Sequence, residues 1–175
     1  MTPDEILKSD FPDLTVGAQD ANVDVVATVE IAVRTFHDGT LYAVVRNGDP
    51  NRDHGVHIGK SGKVRWEIIE NRTGQKVWLA PAREPHGGTV GNKPVTSRNG
   101  TRLEQDVRVN TPASGHGELI YNLRYGQMKG GQWTYCEVLG KEPTVRPECE
   151  DHEEPVEQGG RIIKIPSPPP KLLVP

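Results

Sequence analysis

The chain has 175 residues, a formal net charge of −3, and glycine and proline at 19 and 15 copies. That length suits one domain burying about 70% of its unfolded surface. The charge excludes a strongly basic nucleic-acid binder, and no apolar run approaches the ~18 residues of a membrane-spanning helix.

Met1 to Glu5 holds no basic stretch leading into an apolar run, so no signal peptide is expected. The default compartment is the cytoplasm, with membership of an assembled particle as the other option. In a reducing compartment Cys136 and Cys149 are expected as free thiols; a bridge between them is the alternative.

Thr2-Pro3-Asp4-Glu5 is a capping box with proline at the first helical position, predicting one or two helical turns that stop near Ser9-Asp10. From Val23 to Phe36 the odd positions are Val23, Val25, Ala27, Val29, Ile31 and Val33, a period of two rich in β-branched residues. That pattern predicts a strand with one buried face. His37-Asp38-Gly39-Thr40 turns the chain, and Leu41, Ala43 and Val45 resume the alternation. A polar loop, 47–62, follows. Val64, Trp66 and Ile68 form a third strand, Asn71-Arg72-Thr73-Gly74 a hairpin connection, and Val77 and Leu79 the returning strand, ended by Pro81. Asn71 and Asn99 match glycosylation acceptors but suit turns better without an export signal. A second long loop, 82–99, leads to strands at Leu103–Val109, Leu119–Tyr125 and Trp133–Leu139, the last two joined by a turn at Gly126–Gly131. No further segment sustains a helical period.

The expected fold is all-β: an antiparallel β-sandwich of about seven or eight strands at 18–140, with an open barrel as the alternative. An arm with a short helix (1–17) precedes it. An acidic, proline-rich arm (141–175) follows, ending in the β-prone run Arg161-Ile162-Ile163-Lys164-Ile165, a proline spacer and apolar Leu172-Leu173-Val174.

Few residues suggest chemistry. Asp49, Asn51 and Asp53 place oxygen donors at alternate loop positions, as calcium loops do. His54 stands where glycine belongs, however, and Lys60 where the bidentate Glu should be. His54 and His57, with His37, His86 and His116, would need to converge to make a zinc site. Ser61 and Ser114-Gly115-His116 form no hydrolase motif, and Gly59-Lys60-Ser61-Gly62 lacks the glycine spacing of a phosphate loop. Trp78 is the candidate ligand-facing aromatic, because its neighbours Val77 and Leu79 already fit the inward face; core packing is the alternative. Arg161 to Ile165 could add a strand to a sheet edge, its own or a neighbour's.

The Lys63–Ile68 strand, the Gln75–Trp78 strand after it and the late Gly131-Gln132-Trp133-Thr134-Tyr135 segment together resemble immunoglobulin-like domains. Bacterial intracellular proteinase-inhibitor modules share that layout. The resemblance covers Val23 to Leu139 and implies an Ig-like sandwich. The paired immunoglobulin cysteines are absent, so it carries over no functional residue and no inhibitory activity. The expected role is a non-catalytic structural or assembly protein. It would engage other protein subunits, copies of itself included, through its loops and terminal residues Arg161–Ile165 and Leu172–Val174. The alternative is a module binding carbohydrate or metal with loops 47–62 and 82–99. No catalytic residue or cofactor is expected beyond calcium at the first of these loops.

Overall fold

The computed structural model describes residues 2–17, 24–86, 88–91, 93–109, 117–151 and 167–175. Helix α1 (Pro3–Asp10) opens the chain, followed by β1 (Thr15–Val16), β2 (Val25–Thr35), β3 (Leu41–Val45), β4 (Val56–His57) and β5 (Gly62–Asn71). Then come β6 (Trp78–His86), β7 (Gly88–Val90), β8 (Val95–Thr96), β9 (Arg102–Val109) and β10 (Gly117–Lys129). The last are β11 (Gln132–Leu139), β12 (Glu150–Asp151) and β13 (Lys171–Val174). Each of the seven long strands overlaps one of the seven periodic runs of the sequence, β6 and β10 extending well beyond theirs. The other six span two to four residues, too short for a period of two to register. Among the described residues no helix is long and apolar enough to cross a membrane.

Local chemistry accounts for the first elements. The Thr2 hydroxyl accepts from the Glu5 amide and the Glu5 carboxylate accepts from the Thr2 amide, which satisfies two donors at the start of α1. Ile6 and Leu7 then bury against the sheet. β2 and β3 pair antiparallel from Ile31–Val45 to Thr35–Leu41, with Gly39 at φ +89° in the turn. Val29, Ile31, Val33, Leu41, Ala43 and Val45 face the main core. Ala32, Tyr42, Val44 and Leu139 form a smaller cluster on the opposite face. β3 is therefore buried on both sides.

The turn between β10 and β11 falls later than expected. β10 runs through Gly126 to Lys129, and only Gly130 and Gly131 turn, at φ +58° and +79°. Gly126 belongs in the strand because the Trp133 indole lies over it; a Cβ there would sit 2.3 Å from that ring.

The sheet is mixed, against the antiparallel expectation. β2 pairs parallel with β5, β11 with β3, β13 with β4 and β1 with β8. The physical reason is the crossover: β3 already returns the chain toward the starting end of β2, and residues 46–61 are long enough to cross from that edge of β2 to the other, where β5 runs parallel to it. The Asn71–Gly74 turn forms, with the Asn71 carboxamide accepting from the Thr73 amide and Gly74 at φ +75°, yet it closes no hairpin. β5 lies between β2 and β9, whereas β6 pairs with β10. β6 also continues past Pro81 to His86. The two register shifts in its pairing with β10 accommodate residues that donate no backbone hydrogen bond.

The path β9–β5–β2–β3–β11–β10–β6 brings β6 back beside β9. A side chain bridges the two. Buried Gln105 of β9 accepts from the Ala82 amide (3.1 Å) and donates to the Ala82 carbonyl (3.4 Å) and the Gly91 carbonyl (3.1 Å). One carboxamide thus takes the place of a strand neighbour. Inside, Trp66 and Tyr121 are fully buried and meet edge-on, ring centroids 5.5 Å apart.

Cys136 and Cys149 are bridged rather than free. Cys136 is buried in β11, and the bridge pins the segment that pairs β12 with β11. Closing a loop of this length contributes about 3 kcal/mol. Two ion pairs, Arg34–Glu142 (3.6 Å) and Arg146–Asp38 (3.3 Å), and a Tyr42 hydroxyl donating to Glu142 (2.7 Å) hold the same segment on the outer face of β2 and β3.

Gln105→Leu keeps the volume but leaves the Ala82 amide and carbonyl unpartnered. Urea unfolding should show a loss of about 2–4 kcal/mol with an unchanged slope. A loss under about 0.5 kcal/mol would mean that the carboxamide does not bridge the sheet.

Candidate interaction site

Two features that stand far apart in the sequence, the 47–62 loop and the apolar C-terminal run, meet in the structure. β13 lies between β10 and β4, antiparallel to the first (Gly117–Val174 to Ile120–Lys171) and parallel to the second (Leu172–Val56, Leu173–His57). The edge of β10 that receives it continues into β11, and β6 takes the opposite edge. Among the described strands β4 pairs with β13 alone, so the C-terminal run attaches β4, in the middle of the 47–62 loop, to the sheet. The Ile58 amide donates to the Leu173 carbonyl (2.9 Å) and the Tyr121 amide to the Pro170 carbonyl (3.3 Å).

Loop geometry shapes this slot. Asp49 caps the short 3-10 turn Pro50–Arg52 by accepting from the Asn51 amide, and its second oxygen shares a hydrogen with His57 Nε2 at 2.9 Å. The hydrogen bond with His57, then that with Asn51, holds the Asp49 carboxyl below the usual carboxylate range. Asp53 and His54 take left-handed backbone, φ +51° and +59°, and bring Gly55 against Leu173. A Cβ at Gly55 would lie 2.7 Å from the leucine Cγ, so glycine is required for this approach. Leu172, Leu173 and Val174 are buried, each worth about 1.5–3 kcal/mol when fully covered.

Lys171 sits at the head of β13 with 8% of its surface exposed. Its ammonium donates to Asp53 Oδ2 (3.0 Å) and Glu118 Oε1 (3.2 Å), and Arg52 stands 4.0 Å from the same Glu118 oxygen. Burial lowers the lysine pKa, but the hydrogen bonds to Asp53 and Glu118 outweigh it, and the net shift is upward. The Lys171 hydrogen bond in turn holds Asp53 below the carboxylate range. Lys171 and Glu118 carry no signal in the sequence, since the partners lie 118 and 53 residues apart.

The remaining candidates do not converge on this site. Asp49 and Asp53, two of the three oxygen donors proposed for calcium, are directed at His57 and Lys171. Among the described residues no group of three or more His, Cys, Asp or Glu side chains is arranged to hold a metal ion. The Ser61 hydroxyl accepts from the Val109 amide. Trp78 is half-buried, packed against Trp133 (centroids 5.4 Å apart) and over Gly100, where it leaves no room for a Cβ. Arg161, Ile162, Ile163, Lys164 and Ile165 lie outside the described residues, as do Ser114, Gly115 and His116. Segment 82–99, expected as a loop, instead carries the end of β6 together with β7 and β8, and it contributes to a cleft of about 290 Å³ lined by Phe11, Pro12, Pro81, Arg83, Lys93 and Gln105, with the Arg83 guanidinium 5.1 Å from the Phe11 ring centroid.

The charge contacts set a pH window for β13. Asp53 titrates below its unfolded value of 3.8, so its contribution is present above that pH and lost as pH falls through the folded value. Lys171 titrates above 10.5, so its contribution is present below that pH and lost as pH rises through the folded value. Hydrogen-exchange protection of the Ile58 and Tyr121 amides, corrected for intrinsic rates, should hold down to pH 3.8 and fall as pH drops below it, while that of Ile31 in β2 holds. Equal loss at all three would contradict a local charge contact.

No known protein-family model matches the chain, and no curated protein matches it either.

Proposed function

We propose that the chain is a non-catalytic structural subunit, joining other protein subunits through its loops and terminal segments in a virion, filament or multi-protein complex. The observation that carries this role is the seating of β13. A short apolar strand is held by backbone pairing on both sides, with a charge contact at its head. Strand addition of this type is a recurring way to join protein chains, with backbone bonds supplying affinity and side-chain pockets supplying selectivity. The ends of the sheet path, β1 and β4, are two residues each, which discourages indiscriminate edge pairing. The finer description of the frame as an immunoglobulin-like sandwich belongs to the same proposal and adds no site residue. The Cys136–Cys149 bridge persists in oxidising surroundings, which favours a finished particle over the reducing cytoplasm as the place of work.

A second reading, a ligand-binding module using the 82–99 loop, is favoured by the cleft beside Arg83 and Phe11. Its volume of about 290 Å³ is at the lower end for small-ligand sites.

Light scattering of the purified full chain over a tenfold concentration range should give masses above the 19.3 kDa of one copy. Leu173→Asp, which places a charge against Gly55, should return the mass to one copy. A single-copy mass for the native chain at every concentration, with no second subunit bound, would exclude the assembly role.

A further inference from the structure

Resting on the second reading above, we propose that the cleft beside Arg83 and Phe11 binds a small organic acid, one carboxylate carried on a flat apolar body. Phe11 supplies the flat wall. Its amide ends α1 by donating to the Leu7 carbonyl (2.8 Å), and the Leu14 amide closes the next turn on the Phe11 carbonyl (2.9 Å). The ring therefore stands on a fixed backbone, with Pro12, Pro81, Ala82 and Pro94 completing the apolar lining. Arg83 of β6 lies over the ring, its guanidinium carbon 5.1 Å from the centroid. Stacking on an aromatic face fixes the plane of a guanidinium and leaves the N–H fork at its edge available. Among the described residues no acceptor takes those donors and no carboxylate pairs with the charge. An arginine already ordered against a ring loses little further freedom when it grips a carboxylate through two N–H bonds.

A second cation, Lys93, lines the same cleft. Its backbone is left-handed, φ +68°, immediately before a proline, a conformation that costs a lysine free energy. Anchors on both sides hold it there. The Gly91 carbonyl accepts from buried Gln105 (3.1 Å), the Gly91 amide donates to the Asp106 carbonyl, and the Pro94 carbonyl accepts from the Thr15 amide (2.9 Å). Strain sustained by the surrounding structure in this way is characteristic of residues placed for binding. Two carboxylates also line the cleft: Asp10, which accepts from the Tyr135 hydroxyl (2.7 Å), and exposed Asp13. The lining thus carries two charges of each sign, which suits a ligand with one negative charge better than a phosphate with two. At about 290 Å³ the space fits a small molecule rather than a polypeptide segment.

Three probes of one shape test this by NMR titration of the full chain at neutral pH: 2-naphthoate, the neutral 2-naphthamide and 2-naphthyl phosphate. The acid should bind about tenfold or more tighter than the amide, as a charge-assisted hydrogen-bonded pair provides, and should shift the Arg83 Nε–H and Gly91 amide signals. Arg83→Gln should abolish that preference and leave the affinity for the amide little changed. It should also keep the native melting temperature, because the residue is exposed. A variant that holds the acid as tightly as the native chain does, or a phosphate that binds more tightly than the acid, overturns the proposal. If acid and amide bind the native chain alike, the carboxylate preference fails and the ligand-binding reading stands. If none of the three shifts these signals up to its solubility limit, the ligand-binding reading of the cleft falls with it.

Discussion

A nearly buried ammonium organises one end of this protein. Burial works against the Lys171 charge, and hydrogen bonds to Asp53 and Glu118 replace the water it loses. The desolvation cost stays moderate because both carboxylates remain partly in solvent, their side chains 68% and 38% exposed. The contact joins three pieces of chain that have no local reason to meet: the middle of the 47–62 loop, the start of β10 and the C-terminal strand. The loop needs this anchor. Its internal bonds, from Asp49 to Asn51 and His57, make it compact, and its two ends are tied to β2 by Asn47 and to β9 by Ser61, but its middle reaches the sheet through β13.

The other end depends on a neutral polar group. Gln105 is buried because it does what a neighbouring strand would do, satisfying the donor and acceptor of Ala82 at once. This places β6 beside β9 and shapes the floor of the cleft under Arg83. Between the two ends lies an aromatic centre of Trp66, Tyr121, Tyr125 and Trp133. The Tyr125 hydroxyl donates to the Leu41 carbonyl (2.9 Å), while burial pushes its pKa well above the ordinary value.

The outer face of β2 and β3 explains why two-residue periodicity breaks at Ala32. A strand with one wet face has no use for an apolar residue there. Ala32, Tyr42, Val44 and Leu139 are instead covered, and the segment 140–149 is held beside them by Glu142, Arg146 and the Cys136–Cys149 bridge. What composition alone describes as the beginning of a loose acidic arm is, up to Asp151, part of the packed protein.

Residue order accounts for the all-β class, the presence of the seven long strands, the capped N-terminal helix and the Asp38-Gly39 turn. All of these depend on contacts within a few residues, where side-chain alternation, capping and positive φ leave a direct mark. Which strands are neighbours, and in which direction, follows only from how the chain packs. A long polar connection does not reveal where its far end returns, so β5 came to lie parallel to β2, and the Asn71 turn bends the chain without pairing the strands on either side. The candidate site belongs to the same class. Asp53 and the Leu172–Val174 run could be singled out one by one, but Lys171 and Glu118 could not, because an ion pair across 118 residues follows from the packing that brings its members together.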